Sequence, residues 1–163
     1  MIFQQIDQVL ETRNIEQTKY RYLRAIDTQN WDLLADCFTE DVRCWYGGGA
    51  RNSSGRENVV SLLRRFCPPS FVSSHTAHHP EITLLDEARA EGVWRFEDLV
   101  HFTGPTELRA AGGAGYYYDT YAKVAGRWLI ASTGYVRIFE HITWPDGRPP
   151  SLYVPAERGV RGT

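Results

Sequence analysis

The spacing of apolar residues changes once along this chain, from a helical period to an alternating one. Ile6, Val9 and Leu10 open a pattern that Ile15, Tyr22, Leu23 and Ile26 continue at helical intervals. It fits one helix, or two parted near Asn14. Thr28 and Asn30 interrupt and recap the chain, so Trp31, Leu34, Ala35 and Phe38 read as a second, short helix. A third is expected from about Arg56 to Phe66, capped by Ser53 or Ser54. Val59, Leu62, Leu63 and Phe66 form its buried face, and Pro68 and Pro69 stop it.

From Val72 onward the runs are rich in β-branched and aromatic residues. Val72 to Leu85, Arg89 to Phe102, Gly115 to Val124 and Arg127 to Glu140 read as strands. Ala125-Gly126 is a compact turn that makes the last two a hairpin. Pro105 to Gly113 reads as a longer connection, and the tail after Trp144 as too punctuated by Pro and Gly for regular structure. Helices followed by antiparallel strands predict an α+β fold: a cone-like, curved antiparallel sheet with the N-terminal helices packed on it, enclosing a pocket. Residues 1–144 are expected to form this domain, and residues 145–163 a Pro/Gly-rich tail.

Composition narrows the function. With 42% hydrophobic and 13% aromatic residues, 163 residues can build a core and still line a cavity with rings. A net charge of −2 gives no electrostatic reason to expect nucleic acid or an anionic membrane as partner. The longest apolar runs are far short of a membrane span, and the N-terminus lacks the pattern of a secretion signal. Cys37, Cys44 and Cys67 have no metal spacing and read as reduced thiols in a cytoplasmic protein.

The chemistry-bearing residues are scattered along the sequence. Tyr22 and Asp27 fall late on the first helix, His75 in an extended run, and Asp98 and Arg137 on two later strands. A histidine, carboxylates and a phenol among many rings suit proton transfer on an apolar organic molecule. In Ser73-Ser74-His75-Thr76-Ala77-His78-His79, positions 75, 77 and 79 share one face of an alternating strand. Asp27 can accept a hydrogen bond from one His75 nitrogen, fixing the tautomer and raising the basicity of the other. Asp98 shares a face with Trp94 and Phe96, where burial suits it to proton donation or hydrogen bonding. Arg137 alternates with Tyr135 and Phe139, and a buried arginine needs a carboxylate.

The expected pocket lining is Trp94, Phe96, Tyr116, Tyr118 and Tyr135; Tyr116, Tyr117, Tyr118 and Tyr121 place two phenols inward whichever way their strand sits. His101 and His141 read as surface or rim residues. No third ligand accompanies the histidines at convincing spacing, so no metal is expected. Gly47-Gly48-Gly49 lacks the lysine of a phosphate-binding loop, and neither a dinucleotide fingerprint nor a serine nucleophile elbow occurs, so no cofactor is expected.

Four stretches carry a family likeness: RYLRAID with a following Trp31 (Arg21 to Asp27), HPEIT (His79 to Thr83), W-x-x-E-D (Trp94 to Asp98) and GRWLIASTGYVRIFEH (Gly126 to His141). With these the chain resembles the SnoaL-like branch of the nuclear transport factor 2 superfamily. Within that branch it is most similar to the bile-acid 7α-dehydratases and more distantly to the scytalone dehydratases. The resemblance implies an α+β cone in a trimer or related oligomer, working without a cofactor. It places the family's catalytic tyrosine, aspartate and histidine on Tyr22, Asp27 and His75, and its further aspartate and arginine on Asp98 and Arg137.

The expected function is elimination of water from a hydroxylated polycyclic ketone, a steroid or bile-acid derivative, with His75 and Asp27 as base. The alternatives are a double-bond isomerase or polyketide cyclase on the same fold, and a non-catalytic ligand-binding module.

Overall fold

The computed structural model describes residues 2–47, 49–104 and 107–156; Gly48 of the glycine loop, Pro105 and Thr106 of the expected connection, and the tail from 157 onward lie outside the described residues. Helix α1 (Ile2–Asp27) is continuous through Asn14. Its apolar stripe meets the sheet only from Ile15 onward. Ile15, Tyr22, Leu23 and Ile26 are buried, whereas Ile6, Val9 and Leu10 are exposed. Helix α2 (Trp31–Ala35) is capped as expected: the Asn30 side chain accepts from the Leu33 amide.

Phe38 corrects the expected end of that helix. It opens strand β1 (Phe38–Tyr46), which pairs with β2 (Arg51–Ser54). Helix α3 (Arg56–Phe66) buries Val59 and Leu63, with Leu62 half-buried. Its N-cap is Gly55 at φ 83°, not Ser53 or Ser54, which belong to β2. The chain must turn there through the left-handed region, which glycine enters without a Cβ clash.

Strands β3 (Phe71–Leu84), β4 (Arg89–Gly104), β5 (Glu107–Val124) and β6 (Arg127–Thr143) fall close to the predicted runs. The 107–113 part of the expected connection is instead strand, paired with β4 as far as Gly104. Part of the tail is also strand: β7 (Ser151–Tyr153) pairs with β6. The order across the sheet is β2-β1-β6-β5-β4-β3. The β1–β6 pair is parallel and the others antiparallel, so the sheet is mixed. It curves without closing, and the buried face of α1 packs into its concave side with Phe38, Val42, Trp94, Phe96 and Ile130.

Glycines on β5 let neighbouring strands place large side chains on that concave side. A Cβ on Gly115 would meet Phe96 at 2.7 Å, and one on Gly113 would meet Arg137 Nη1 at 3.1 Å. At the far end of β3 a register shift between His78 and Glu81, with His79 at φ 50°, breaks the alternation that was to place His79 with His75. No helix among the described residues is long and apolar enough to cross a membrane.

Candidate active site

A cavity of about 390 Å³ opens between the end of α1, helix α3 and the concave face of β3 to β6. Small-molecule sites usually span roughly 300–1,000 Å³. Four of the five expected catalytic residues, Tyr22, His75, Asp98 and Arg137, line its wall, and Asp27 stands directly behind His75.

Asp27 is the last residue of α1, and β3 runs past it. Its Oδ1 lies 2.6 Å from His75 Nδ1 and also accepts from the Ser73 hydroxyl at 2.7 Å, while Oδ2 accepts from the His75 amide at 2.9 Å. Ring and backbone are therefore held by one carboxylate. Burial pushes the Asp27 carboxyl up, but the hydrogen bonds from the His75 ring and amide and from Ser73 outweigh it and hold the group below its ordinary range. An ionised Asp27 accepts only, so Nδ1 carries the proton in the neutral ring. Nε2 is then the lone-pair nitrogen of a residue on the cavity wall. A base held this way needs no reorganisation before it takes a proton.

His75 faces Asp98 across the β3–β4 ladder. Asp98 does not stand there as a free acid. Arg137 Nη1 and Nη2 donate to its two oxygens at 2.7 and 2.6 Å, in a fork that gives both partners a fixed orientation. With both oxygens accepting, the carboxylate is better suited to hold Arg137 than to give up a proton. The arginine has five N–H donors and uses two here, so the pair presents donor capacity to a substrate oxygen. Burial opposes the Arg137 charge, but Asp98 more than compensates and raises its pKa.

The Tyr22 hydroxyl lies 2.9 Å from that of Tyr46, a cavity residue on β1 that the sequence reading did not single out. Burial is the main reason that both phenols titrate well above their ordinary value, so they stay protonated and serve as donors. One proton occupies the shared hydrogen bond and leaves the other hydroxyl's proton for a ligand.

The structure brings one of the five expected lining residues to the cavity wall. Tyr135 lines the cavity. Trp94 is fully buried beneath it and donates to the Tyr121 hydroxyl at 3.0 Å. Phe96 supports the wall from behind, against Tyr117, Tyr135 and the Arg137 guanidinium. Tyr116 and Tyr118 point to the opposite face, one beside Arg95 and the other stacked on Trp45. On β5 it is Tyr117, Asp119 and Tyr121 that are buried, and Tyr117 reaches the cavity.

Below Tyr22 and Tyr117 lies a second charged cluster, also absent from the sequence reading. Lys19 Nζ is 2.7 Å from Asp119 Oδ2, with both side chains fully buried. The ammonium sits 3.6 Å from the Tyr117 ring centroid and 4.7 Å from that of Tyr22. Burial lowers the Lys19 pKa and Asp119 opposes the shift. His101 and His141 are exposed, as expected, and no group of three metal-binding side chains occurs among the described residues.

Comparison with known proteins agrees with this architecture. A candidate scytalone dehydratase from Novosphingobium aromaticivorans superposes with a TM-score of 0.74 at 23% identity, over 87% of this chain and 97% of that one. The type 2 hexachlorocyclohexane dehydrochlorinase LinA gives 0.74 at 13% identity, over 94% and 99%. ActVI-ORFA from Streptomyces coelicolor gives 0.65 at 14% identity, over 77% and 96%. At such identities these likenesses establish the α+β cone fold and no more. The model of the SnoaL-like domain family matches residues 7–134, most of the chain and all five candidate residues but Arg137. The chain belongs to the SnoaL-like domain family.

Proposed function

We propose that this protein is a cofactor-independent hydro-lyase that eliminates water from a hydroxylated polycyclic ketone, a steroid or bile-acid derivative. The observation that carries the proposal is the contact of Asp27 with Nδ1 of His75, a residue on the cavity wall. Nε2 takes a proton from a carbon activated by the substrate carbonyl. The electron pair of that C–H bond becomes the new double bond through the enolate, and the C–O bond to the hydroxyl breaks. The oxygen leaves as water with a proton returned from the imidazolium or a phenol. Tyr22, backed by Tyr46, donates to the developing oxyanion or the departing hydroxyl. Arg137, fixed by Asp98, receives a substrate oxygen.

Two of the fold's relatives are named for eliminations, one of water and one of hydrogen chloride. Elimination of either kind removes a proton, which is the work a preset imidazole performs. The same reading makes the chain a relative of the bile-acid 7α-dehydratases and a cytoplasmic trimer, with residues 145–163 a tail to the 1–144 domain.

The test is incubation with a panel of hydroxylated 3-oxo-Δ4 steroids, read by mass spectrometry. The expected result is a product lighter by one water. An unchanged mass with a shifted ultraviolet spectrum makes the protein an isomerase. Binding without any reaction makes it a ligand-binding module.

A further inference from the structure

Three histidines fall within five residues of β3, and the fold sorts them differently from a regular strand. His75 turns to Asp27 on the cavity wall. The other two, His78 and His79, do not belong to that wall. Adjacent residues of a regular strand send their side chains to opposite faces. Here the register against β4 shifts between His78 and Glu81, His79 takes φ 50°, and the two neighbouring rings meet. They stand edge to face with centroids 4.7 Å apart and Nδ1 to Nδ1 at 2.7 Å.

A left-handed backbone is uncommon for a residue with a Cβ, though histidine enters it more readily than most. His79 also precedes Pro80, and a proline favours extended geometry at the residue before it. The chain therefore holds an unfavourable conformation where its effect is to bring two like nitrogens together. Between neutral rings, one Nδ1–H donates to the other Nδ1. The same two rings, each with its proton on Nε2, offer both Nδ1 lone pairs to a single cation.

The separation of the nitrogens selects the cation. At the usual metal–imidazole length of about 2.0–2.1 Å, two nitrogens at a right angle are about 2.9 Å apart, and two at the tetrahedral angle about 3.3 Å. From 2.7 Å the pair reaches the first by opening about 0.2 Å, and the second only by opening about 0.6 Å. The right angle belongs to square-planar and tetragonal copper(II) and nickel(II), the tetrahedral one to zinc. His79 is exposed and His78 half-buried, so water can fill the remaining positions. Arg95, the register partner of His78, would repel a cation, but its guanidinium is turned to Glu97 at 3.5 Å and to the Tyr116 ring at 5.7 Å.

We propose that His78 and His79 form a two-nitrogen chelate, through their Nδ1 atoms, for a divalent transition ion of tetragonal preference, copper(II) above all. With two protein ligands it is an exchangeable surface site, unlike a closed four-ligand structural centre. It stands apart from the cavity and does not depend on the function proposed above.

The experiment is titration of the untagged full chain with copper(II) sulfate in a non-coordinating buffer, at a pH where imidazole is neutral. Calorimetry reads the affinity and electron paramagnetic resonance the donor atoms. One ion per chain with two equatorial nitrogens is expected, with nickel(II) and zinc(II) binding more weakly. His78→Asn and His79→Gly should each weaken binding about tenfold or more. Glycine suits the left-handed φ, so His79→Gly keeps the fold while removing a ligand. His101→Asn, which removes an exposed histidine of β4, should leave binding unchanged. Affinity unaltered by His78→Asn or His79→Gly, a single-nitrogen spectrum, zinc bound more tightly than copper, or no binding at all overturns the inference.

Discussion

Two carboxylates in this molecule face a basic nitrogen at nearly the same distance, Asp27 at 2.6 Å from His75 and Asp119 at 2.7 Å from Lys19. Their surroundings differ. Asp27 keeps 22% of its side chain exposed and His75 keeps 10%, and His75 lies on the cavity wall. Lys19 and Asp119 have no exposure, and the rings of Tyr22 and Tyr117 and the Tyr121 hydroxyl close over them. An ion pair does chemistry only where one atom beyond the pairing reaches a substrate. Where none does, the pair holds packing in register, at a desolvation cost that its mutual attraction must offset.

Substitutions should therefore separate the two pairs. His75→Ala removes the proposed base while leaving the buried core intact. Steady-state turnover is expected to fall roughly 10²–10⁴-fold, with the melting temperature close to that of the wild type. Lys19→Met does the reverse. Leaving Asp119 buried without its cation should cost about 3–5 kcal/mol in denaturant unfolding, and Asp119→Leu in the same chain should recover part of it. A cost below about 1 kcal/mol would mean that the sealed pair is not structural.

A smaller effect concerns acid. Because folding holds the Asp27 carboxyl below its ordinary range, it contributes stability that is present above the ordinary carboxylate pKa and lost as pH falls through the folded value. Unfolding midpoints measured from pH 6 downward should drop more steeply for the wild type than for Asp27→Asn. The smallest effect involves Cys67, which lines the cavity as His75 does but whose thiol burial pushes up to about 11. At pH 8 about one such thiol in a thousand is ionised, so iodoacetamide should modify the folded protein slowly and the unfolded chain fast.

Much of this was legible in the sequence, for reasons that also explain what was not. β3, β4 and β6 are long runs of β-branched and aromatic residues, and Ala125-Gly126 marks one turn, so their limits and the end of β5 could be read closely. Strand β1 was not, because Thr39-Glu40-Asp41 reads as a polar loop after a helix and its partner β6 lies far along the chain. The glycines of the 107–113 segment imitate a connection, yet Gly113 serves to make room for Arg137. The His75–Asp27 contact was anticipated from the need to fix an imidazole tautomer, and a carboxylate for Arg137 from the cost of burying a bare guanidinium; the structure supplies Asp98. Lys19 escaped the same logic: helical spacing puts it beside Tyr22, and nothing local marks a lysine as buried. The inward parity of β5 was equally hidden, because three consecutive tyrosines offer rings to both faces.

The most direct test of the central claim is the tautomer of His75, read by long-range ¹⁵N–¹H NMR on ring-labelled protein at a pH where the imidazole is neutral. The account predicts a proton on Nδ1 and a bare Nε2 in the wild type, with Nε2–H gaining in Asp27→Asn. A wild-type ring protonated at Nε2, with Nδ1 bare, would place no base at the cavity and would contradict it.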